Sequence, residues 1–399
     1  MADDHSVFTA TADGERRRLL LDLAAQGPVH RVTLPSGSPA WLVTGYDEAR
    51  AALTDSRLMR YAYGGTYAKE LPELNRALDQ HMLLEDPPEH TRLRKLVAVA
   101  FTRRRVEQLE PVVEKISAEL IDEVRAALEA GETVDLVSAY AFRFSFRTMC
   151  ELVGIPASEE QRLGSLFSVL TRGTAAPLEE YRSAGTAMTA LIGGLIDERR
   201  RGPCGDLLSA LVAADDGGDR LSPDELVSMV YLIMVAGHET TAALITNGLL
   251  LLLRHPDQLA ALRAAPETIG TTIEEILRYD GPVQSTFPSF AVEDFELGGH
   301  KISVGDVVTV SPIAASLDRT GPGHPTGFDV TRQSPAHLAF GHGIHYCIGA
   351  PLARLEGRIA FRDLLDRLPD LELADEPRTR VPSVIINRLT ALPVRQATA

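Results

Sequence analysis

Read for its alternation of apolar and polar positions, the chain is mostly helical text broken by loops rich in Gly and Pro. Apolar residues recur at helical spacing over residues 105–128, 178–201 and 222–254, which predicts three long helices. The third begins at Ser222-Pro223-Asp224-Glu225, a capping serine with proline in the first turn and glutamate three positions on. His255-Pro256 stops it after Arg254. A helix apolar nearly all round belongs in a large core or a membrane. This one nevertheless carries Ala236-Gly237-His238-Glu239-Thr240-Thr241 at its middle. Glycine there costs about 1 kcal/mol against alanine, and a buried carboxylate costs more unless it is paired. Local rules broken in mid-helix mark function. Strand patterns are few and short. Residues 30–34 and 40–44 flank Pro35-Ser36-Gly37-Ser38 as a hairpin, and residues 290–297 and 307–310 flank turns at Gly298-Gly299 and Val304-Gly305-Asp306. The expected fold is mainly α with a small β-rich lobe. No linker or repeat stands out, so residues 1–399 are expected to form a single domain.

A second irregular stretch lies near the C-terminus, Phe340-Gly341-His342-Gly343-Ile344-His345-Tyr346-Cys347-Ile348-Gly349. Residues 350–368 are helical in pattern, with Leu352, Leu355 and Ile359 on one face and Pro351 in the first turn. Cys347 therefore precedes a helix N-terminus, where unpaired N–H groups and the helix dipole favour a thiolate. Gly343 and Gly349 would let the backbone approach a flat cofactor without Cβ clashes. A single thiolate in such a loop suits the axial position of haem iron. Composition narrows the field. Of 399 residues 45% are hydrophobic and 24% charged, as in an ordinary globular protein, and a net charge of -15 argues against nucleic acid as a general partner. No unbroken apolar run reaches the length of a membrane span. The polar first 18 residues carry neither a signal peptide nor an anchor pattern. Three cysteines, Cys150, Cys204 and Cys347, are too few for a disulfide framework and fit a reducing compartment.

Phe-Gly-x-Gly-x-His-x-Cys-x-Gly resembles the cysteine-ligand loop of the cytochrome P450 family, the haem-thiolate monooxygenases. The order of helices and strands is similar to that fold over nearly the whole chain. The resemblance implies haem b with Cys347 as the iron ligand, and Phe340 and Gly349 beside the cofactor. Ala-Gly-x-Glu-Thr-Thr resembles the family's oxygen-activation segment. Carried over, Thr240 is a hydrogen-bond donor toward dioxygen, Glu239 relays protons into a dry site, and Ala236 and Gly237 lie over the haem, with Gly237 making room for dioxygen. Glu275-Ile276-Leu277-Arg278 resembles the family's buried Glu-x-x-Arg, which joins a second arginine, here Arg332, in a structural triad. Residues 86–94 resemble the start of the family's C helix. There His90 and Arg94, four apart on one face, would hold the haem propionates together with His345. Arg103-Arg104-Arg105, with Arg92 and Lys95, forms the basic patch on which an acidic ferredoxin, itself served by a ferredoxin reductase, would dock.

Two departures stand out. Relatives carry a propionate-binding arginine at the place of Ser289, whereas no arginine occurs here between Arg278 and Arg319. Ala315-Ser316-Leu317-Asp318 replaces the usual Ala-Asn-Arg-Asp, which bears on the packing ahead of Phe328. The resemblance implies a cytoplasmic, monomeric monooxygenase that makes no use of a membrane. It would insert one oxygen atom of O2 into a mid-sized apolar or amphipathic natural product such as a polyketide, macrolide, terpenoid or steroid. The alternatives are another reaction type on the same fold (oxidative coupling, desaturation or epoxidation) and a non-enzymatic haem-binding partner module. Pocket walls are expected from residues 61–84 and 171–178, from Val235, from Val283, Gln284 and Phe287, and from Ile385 and Ile386.

Overall fold

A computed structural model describes residues 6–60, 67–318, 326–333, 335–377 and 379–397. It is mainly helical with three small sheets, and it divides into two compact units. The first comprises Met1–Met59, Val113–Ser145 and Glu239–Ala399, the second Arg60–Val112 and Phe146–His238.

The first unit contains every strand among the described residues: β1 (Val29–Thr33), β2 (Pro39–Val43), β3 (Leu58–Met59), β4 (Val134–Asp135), β5 (Ser289–Ala291), β6 (Phe295–Leu297), β7 (His300–Ile302), β8 (Val307–Val310), β9 (Leu371–Leu373) and β10 (Pro393–Gln396). They make sheets ordered β1-β2-β8-β5-β3, β4-β10-β9 and β6-β7. The expected hairpin is present, with Arg31 opposite Trp41, and β2 continues into a parallel pairing with β8. Period two sorts the side chains. Val29, Trp41 and Val43 enter one core cluster with Phe295 and Val308, while Val32, Ala40 and Leu42 enter another with Phe8 and Leu20. The β-rich part therefore shares its unit with long helices and is not a separate body. The stretch 290–297 is two strands rather than one. β5 ends at Ala291, Val292 N–H still donates to the Arg57 carbonyl at 2.9 Å in register with β3, and β7, which the sequence pattern did not signal, pairs with β6 across the Gly298-Gly299 turn.

One buried polar network ties the ends of this unit together. Arg380 donates to Asp13 and to Asp280, each at 2.7 Å, and all three side chains are nearly inaccessible. Asn387 donates to the second Asp280 oxygen, and Asn247 donates to the carbonyls of Asp280 and Asn387. Buried charges need such complete pairing to be tolerated.

The second unit is built of helices, including Pro72–Asp79, Glu89–Ala100, Glu160–Leu170 and Leu178–Arg201. Gly185 lets Leu178–Arg201 approach Pro72–Asp79 closely, because a Cβ there would fall 2.5 Å from Leu74. The central helix, Pro223–Arg254, begins in this unit, and the division falls between His238 and Glu239. Its start is a capping box. Glu225 N–H donates to Ser222 Oγ at 3.3 Å, and Ser222 N–H donates to the Glu225 carboxylate at 2.7 Å. By length and composition this helix could cross a membrane, despite the polar break, but 72% of its most apolar stretch is buried inside the protein. The expected helix over 105–128 is interrupted. Arg103–Gln108 ends and Glu110–Glu129 begins, because Pro111 has no N–H to return to the preceding turn.

Candidate active site

The first unit contains the cysteine loop. Gly343–His345 form one 3-10 turn, and Tyr346 N–H closes on the Gly343 carbonyl at 3.1 Å. Cys347 N–H donates to the Phe340 carbonyl at 2.9 Å, which folds the loop back on itself. Gly341 and Gly343 adopt φ of 74° and 72°, and a Cβ on Gly343 would lie 2.6 Å from the Leu53 carbonyl, so both glycines are required by the backbone. The helix Ala350–Arg367 starts directly after Gly349, with proline in its first turn. The Cys347 side chain is exposed, and a Cβ on Gly349 would sit 3.7 Å from its sulfur. His345 is half-buried beside it. Cys150 is buried and Cys204 exposed, and neither is in a disulfide.

Glu239 and Thr240 open this unit's half of the central helix, both half-buried. Burial raises the Glu239 carboxyl above its ordinary pKa, and the charge of Arg388 offsets part of that rise. Arg388 is held with its guanidinium 4.5 Å from the Phe142 ring centroid and donates to the Leu389 carbonyl at 2.9 Å. One position on, Thr241 donates to Glu356 at 3.1 Å. Glu356 is 1% exposed, and burial lifts its pKa well above the usual range, while the hydrogen bond from Thr241 offsets part of that rise. Sequence reasoning missed both Arg388 and Glu356. Each lies far along the chain from its partner, and no local pattern marks it.

In the first unit the structure also brings Glu275, Arg278 and Arg332 together. Arg278 grips Glu275 with two bonds at 2.7 and 2.8 Å, Arg332 adds a third at 3.0 Å, and Asp329 N–H a fourth at 3.0 Å. Both arginines also donate to the Gly327 carbonyl. Ser316 Oγ accepts the Leu338 N–H at 3.0 Å, and Asp318 accepts the Tyr46 N–H at 3.0 Å, so the departure at 315–318 is packed through these two side chains. Arg319 lies outside the described residues. Ser289 is half-buried in β5, opposite Val308.

Of the expected pocket residues in this unit, Val283 and Ile386 form a bridge, Gln284 N–H donates to the Ile385 carbonyl at 2.8 Å, and Phe287 is half-buried. Gln284 is 2% exposed, and its side chain donates to the carbonyls of Ser383 and Val384.

The second unit carries His90, which is buried, and Arg94, which is half-buried, one turn apart on Glu89–Ala100. On the central helix Ala236 is exposed while Met234 and His238 on either side are buried, and Val235 is half-buried. A Cβ on Gly237 would fall 2.4 Å from Met149 Sδ, so this glycine packs closely against the helix Phe142–Val153. Two members of the basic patch are otherwise engaged. Arg92 binds Glu89, Asp219 and Glu225, and Arg105 donates to the carbonyls of Ala100 and Gly205. Arg103, Arg104 and Lys95 stay exposed. The pocket expectation for residues 61–66 lies outside the described residues. Tyr67 beyond them donates to the Ala176 carbonyl at 2.6 Å, joining the two expected wall segments of this unit.

Comparison with known proteins gives the arrangement its family. The cytochrome P450 family model matches residues 179–383. The cytochrome P450 monooxygenase PikC of Streptomyces venezuelae is 46% identical over 94% of this chain and 89% of its own. The 6-deoxyerythronolide B hydroxylase of Saccharopolyspora erythraea is 41% identical over 95% of each. The solved structure of PksS, the bacillaene polyketide synthase P450 of Bacillus subtilis, matches with a TM-score of 0.89 at 36% identity, covering 96% of this chain and 97% of its own. With this likeness over its length, the chain belongs to the cytochrome P450 family and is a haem-thiolate monooxygenase.

Proposed function

We propose that this P450 oxidises a mid-sized apolar natural product of the polyketide or macrolide kind, with Cys347 as the thiolate ligand and Glu239 and Thr240 as its proton path. The observation that carries the ligand assignment is the seating of Cys347: an exposed sulfur with glycine beside it and a helix start behind it. Haem brings four ring nitrogens and asks one further donor of the protein. The described residues contain no cluster of three or more His, Cys, Asp and Glu that could share an ion, so this donor set suits a macrocycle and not a bare metal. His90, Arg94 and His345 would hold the propionates, and Ala236 would face the ring. Residues 1–399 would work as one catalytic domain, a cytoplasmic monomer, with Glu275, Arg278 and Arg332 as its structural support.

When bound, haem supplies the binding and cleavage of O2. The chain supplies the thiolate and the protons. Burial raises the Glu239 pKa, which favours proton uptake, and this side chain would take a proton from solvent and pass it toward Thr240 Oγ1. Val283, Phe287, Ile385 and Ile386 offer an apolar wall with few charges, and Val235 would add to it. The polyketide reading is supported by what the relatives' names say of them, a 6-deoxyerythronolide B hydroxylase and a polyketide biosynthesis P450. Electrons would come from a ferredoxin and its reductase, docked at Arg103, Arg104 and Lys95.

The test is spectroscopic. Reduced protein under CO should show the red-shifted Soret band of thiolate ligation, and Cys347→Ala should lose it while Cys150→Ala and Cys204→Ala keep it. Thr240→Ala should keep haem and substrate but divert reducing equivalents to hydrogen peroxide. A band that survives Cys347→Ala overturns the ligand assignment, and full coupling in Thr240→Ala overturns the proton path.

A further inference from the structure

Next to the buried Glu275 stands a second glutamate with a different set of partners. Glu274 turns to the helix that follows the cysteine. Arg354 grips it with two bonds, Nε to Oε1 at 2.7 Å and Nη2 to Oε2 at 2.8 Å. His337 Nε2 meets Oε2 at 3.0 Å. The tautomer follows from the other ring nitrogen. Nδ1 accepts the Ala339 N–H at 3.2 Å, so the proton sits on Nε2 and a neutral imidazole donates to Glu274.

Arg354 is the point where this set meets the loop. Its guanidinium lies 4.5 Å from the centroid of the Phe340 ring, and it also hydrogen-bonds the Tyr346 side chain. Phe340 supplies the carbonyl that takes the Cys347 N–H, and Tyr346 is the residue before the cysteine. His337 closes the frame from the other side, with its ring 5.9 Å from Phe340. One guanidinium thus touches both flanks of the loop, and one carboxylate fixes the guanidinium. The Arg354 and Glu274 side chains are 39% and 23% exposed. Exposure of that degree makes an ion pair a weak contributor to global stability, whereas its planar fork fixes direction well.

We propose that Glu274, His337 and Arg354 are positioning residues that set the seat of the Cys347 sulfur and so tune how strongly it donates to the iron. The inference rests on the reading of Cys347 as the ligand. A loosened seat weakens donation from the sulfur, and weaker donation favours ferrous over ferric iron.

The alternative is that the pair acts only as two charges. The signs separate the two. Glu274→Gln removes a negative charge, and Arg354→Met removes a positive one. Acting as charges alone, they would shift the reduction potential in opposite directions. If the three residues position the sulfur, both variants raise the potential. The expected size is a shift of the ferric–ferrous equilibrium of up to tenfold, 59 mV for one electron. Both variants should also convert from the thiolate-type to the thiol-type CO spectrum several-fold faster than the parent. Arg354→Lys and Glu274→Asp, which keep charge but lose reach or planarity, should show smaller shifts of the same sign, and they serve if the harsher variants fail to hold haem. Opposite signs, or potentials and conversion rates equal to the parent, overturn the inference. If the parent itself lacks the thiolate band, or Cys347→Ala keeps it, the ligand reading fails instead.

Discussion

Single residues here are explained by what they touch. Gly237 is the clearest case. Replacing it with alanine removes about 1 kcal/mol of helix penalty but drives a methyl into Met149, and overpacking costs about 1–3 kcal/mol. Gly237→Ala should therefore destabilise the protein. Combined with Met149→Ala it should cost less than the sum of the two single changes, as a double-mutant cycle of unfolding midpoints would show. Additive costs would mean that Met149 is not the obstacle. Glu274 gives a pH dependence. Burial pushes its carboxyl up, but the hydrogen bonds from Arg354 and His337 outweigh that and hold it at about 2, below its ordinary 4.5. A carboxyl lowered on folding stabilises the protein at neutral pH, and that contribution fades as pH falls from the ordinary value toward about 2. Glu274→Gln should flatten the stability curve across that window and leave its shape above pH 6 unchanged. An identical acid limb in parent and variant would count against the pair.

At the scale of elements, legibility follows sequence distance. The central helix could be read from Ser222 to Arg254 because its cap, its apolar face and its stop are all local. The cysteine loop could be read because its glycines and the following helix start are contiguous. Arg332, 57 positions on from Glu275, was legible only through the resemblance, because the family it resembles joins a second arginine to its Glu-x-x-Arg. Arg388 beside Glu239, Glu356 beneath Thr241 and Arg354 on Glu274 were not legible. Each is an isolated charged residue on an ordinary helix or loop, and only folding brings it to its partner. The strand break at Val292 and the helix break at Pro111 were hidden for a related reason, since apolar periodicity runs on through both. The triad around Glu275 carries the strongest energetic expectation. Glu275 is fully buried, and removing its charge leaves Arg278 and Arg332 facing each other unpaired. Glu275→Gln should cost about 3–5 kcal/mol, read as a lower denaturant midpoint with an unchanged slope. A loss under 1 kcal/mol would show that the arginines find other partners.

For the whole molecule the informative contrast is between a net charge of -15 and the small basic patch at Lys95, Arg103 and Arg104. Arg103 is 87% exposed in its side chain and pairs with Glu107 on its own helix. Like-charge repulsion would keep an acidic electron donor away from most of the surface and guide it to this spot. Arg104→Glu should slow reduction by an acidic ferredoxin several-fold at low salt. Raising ionic strength should slow the parent more than the variant, because screening shortens the reach to ~10 Å at 0.1 M. Equal rates for parent and variant at every salt would place the docking surface elsewhere.

The contact between Asp13 and Arg380 also sets an order of events during synthesis. The two residues are 367 positions apart. At ~5–20 residues per second a ribosome needs on the order of 20–70 s to deliver the second after the first. Over that interval Asp13 lacks the Arg380 guanidinium, Asp280 lacks it over the last 100 positions, and β10, which pairs both β4 and β9, has not been made. The Asp13 carboxylate can meet Arg254 much earlier, but the buried network around it is completed only once Arg380 has been made.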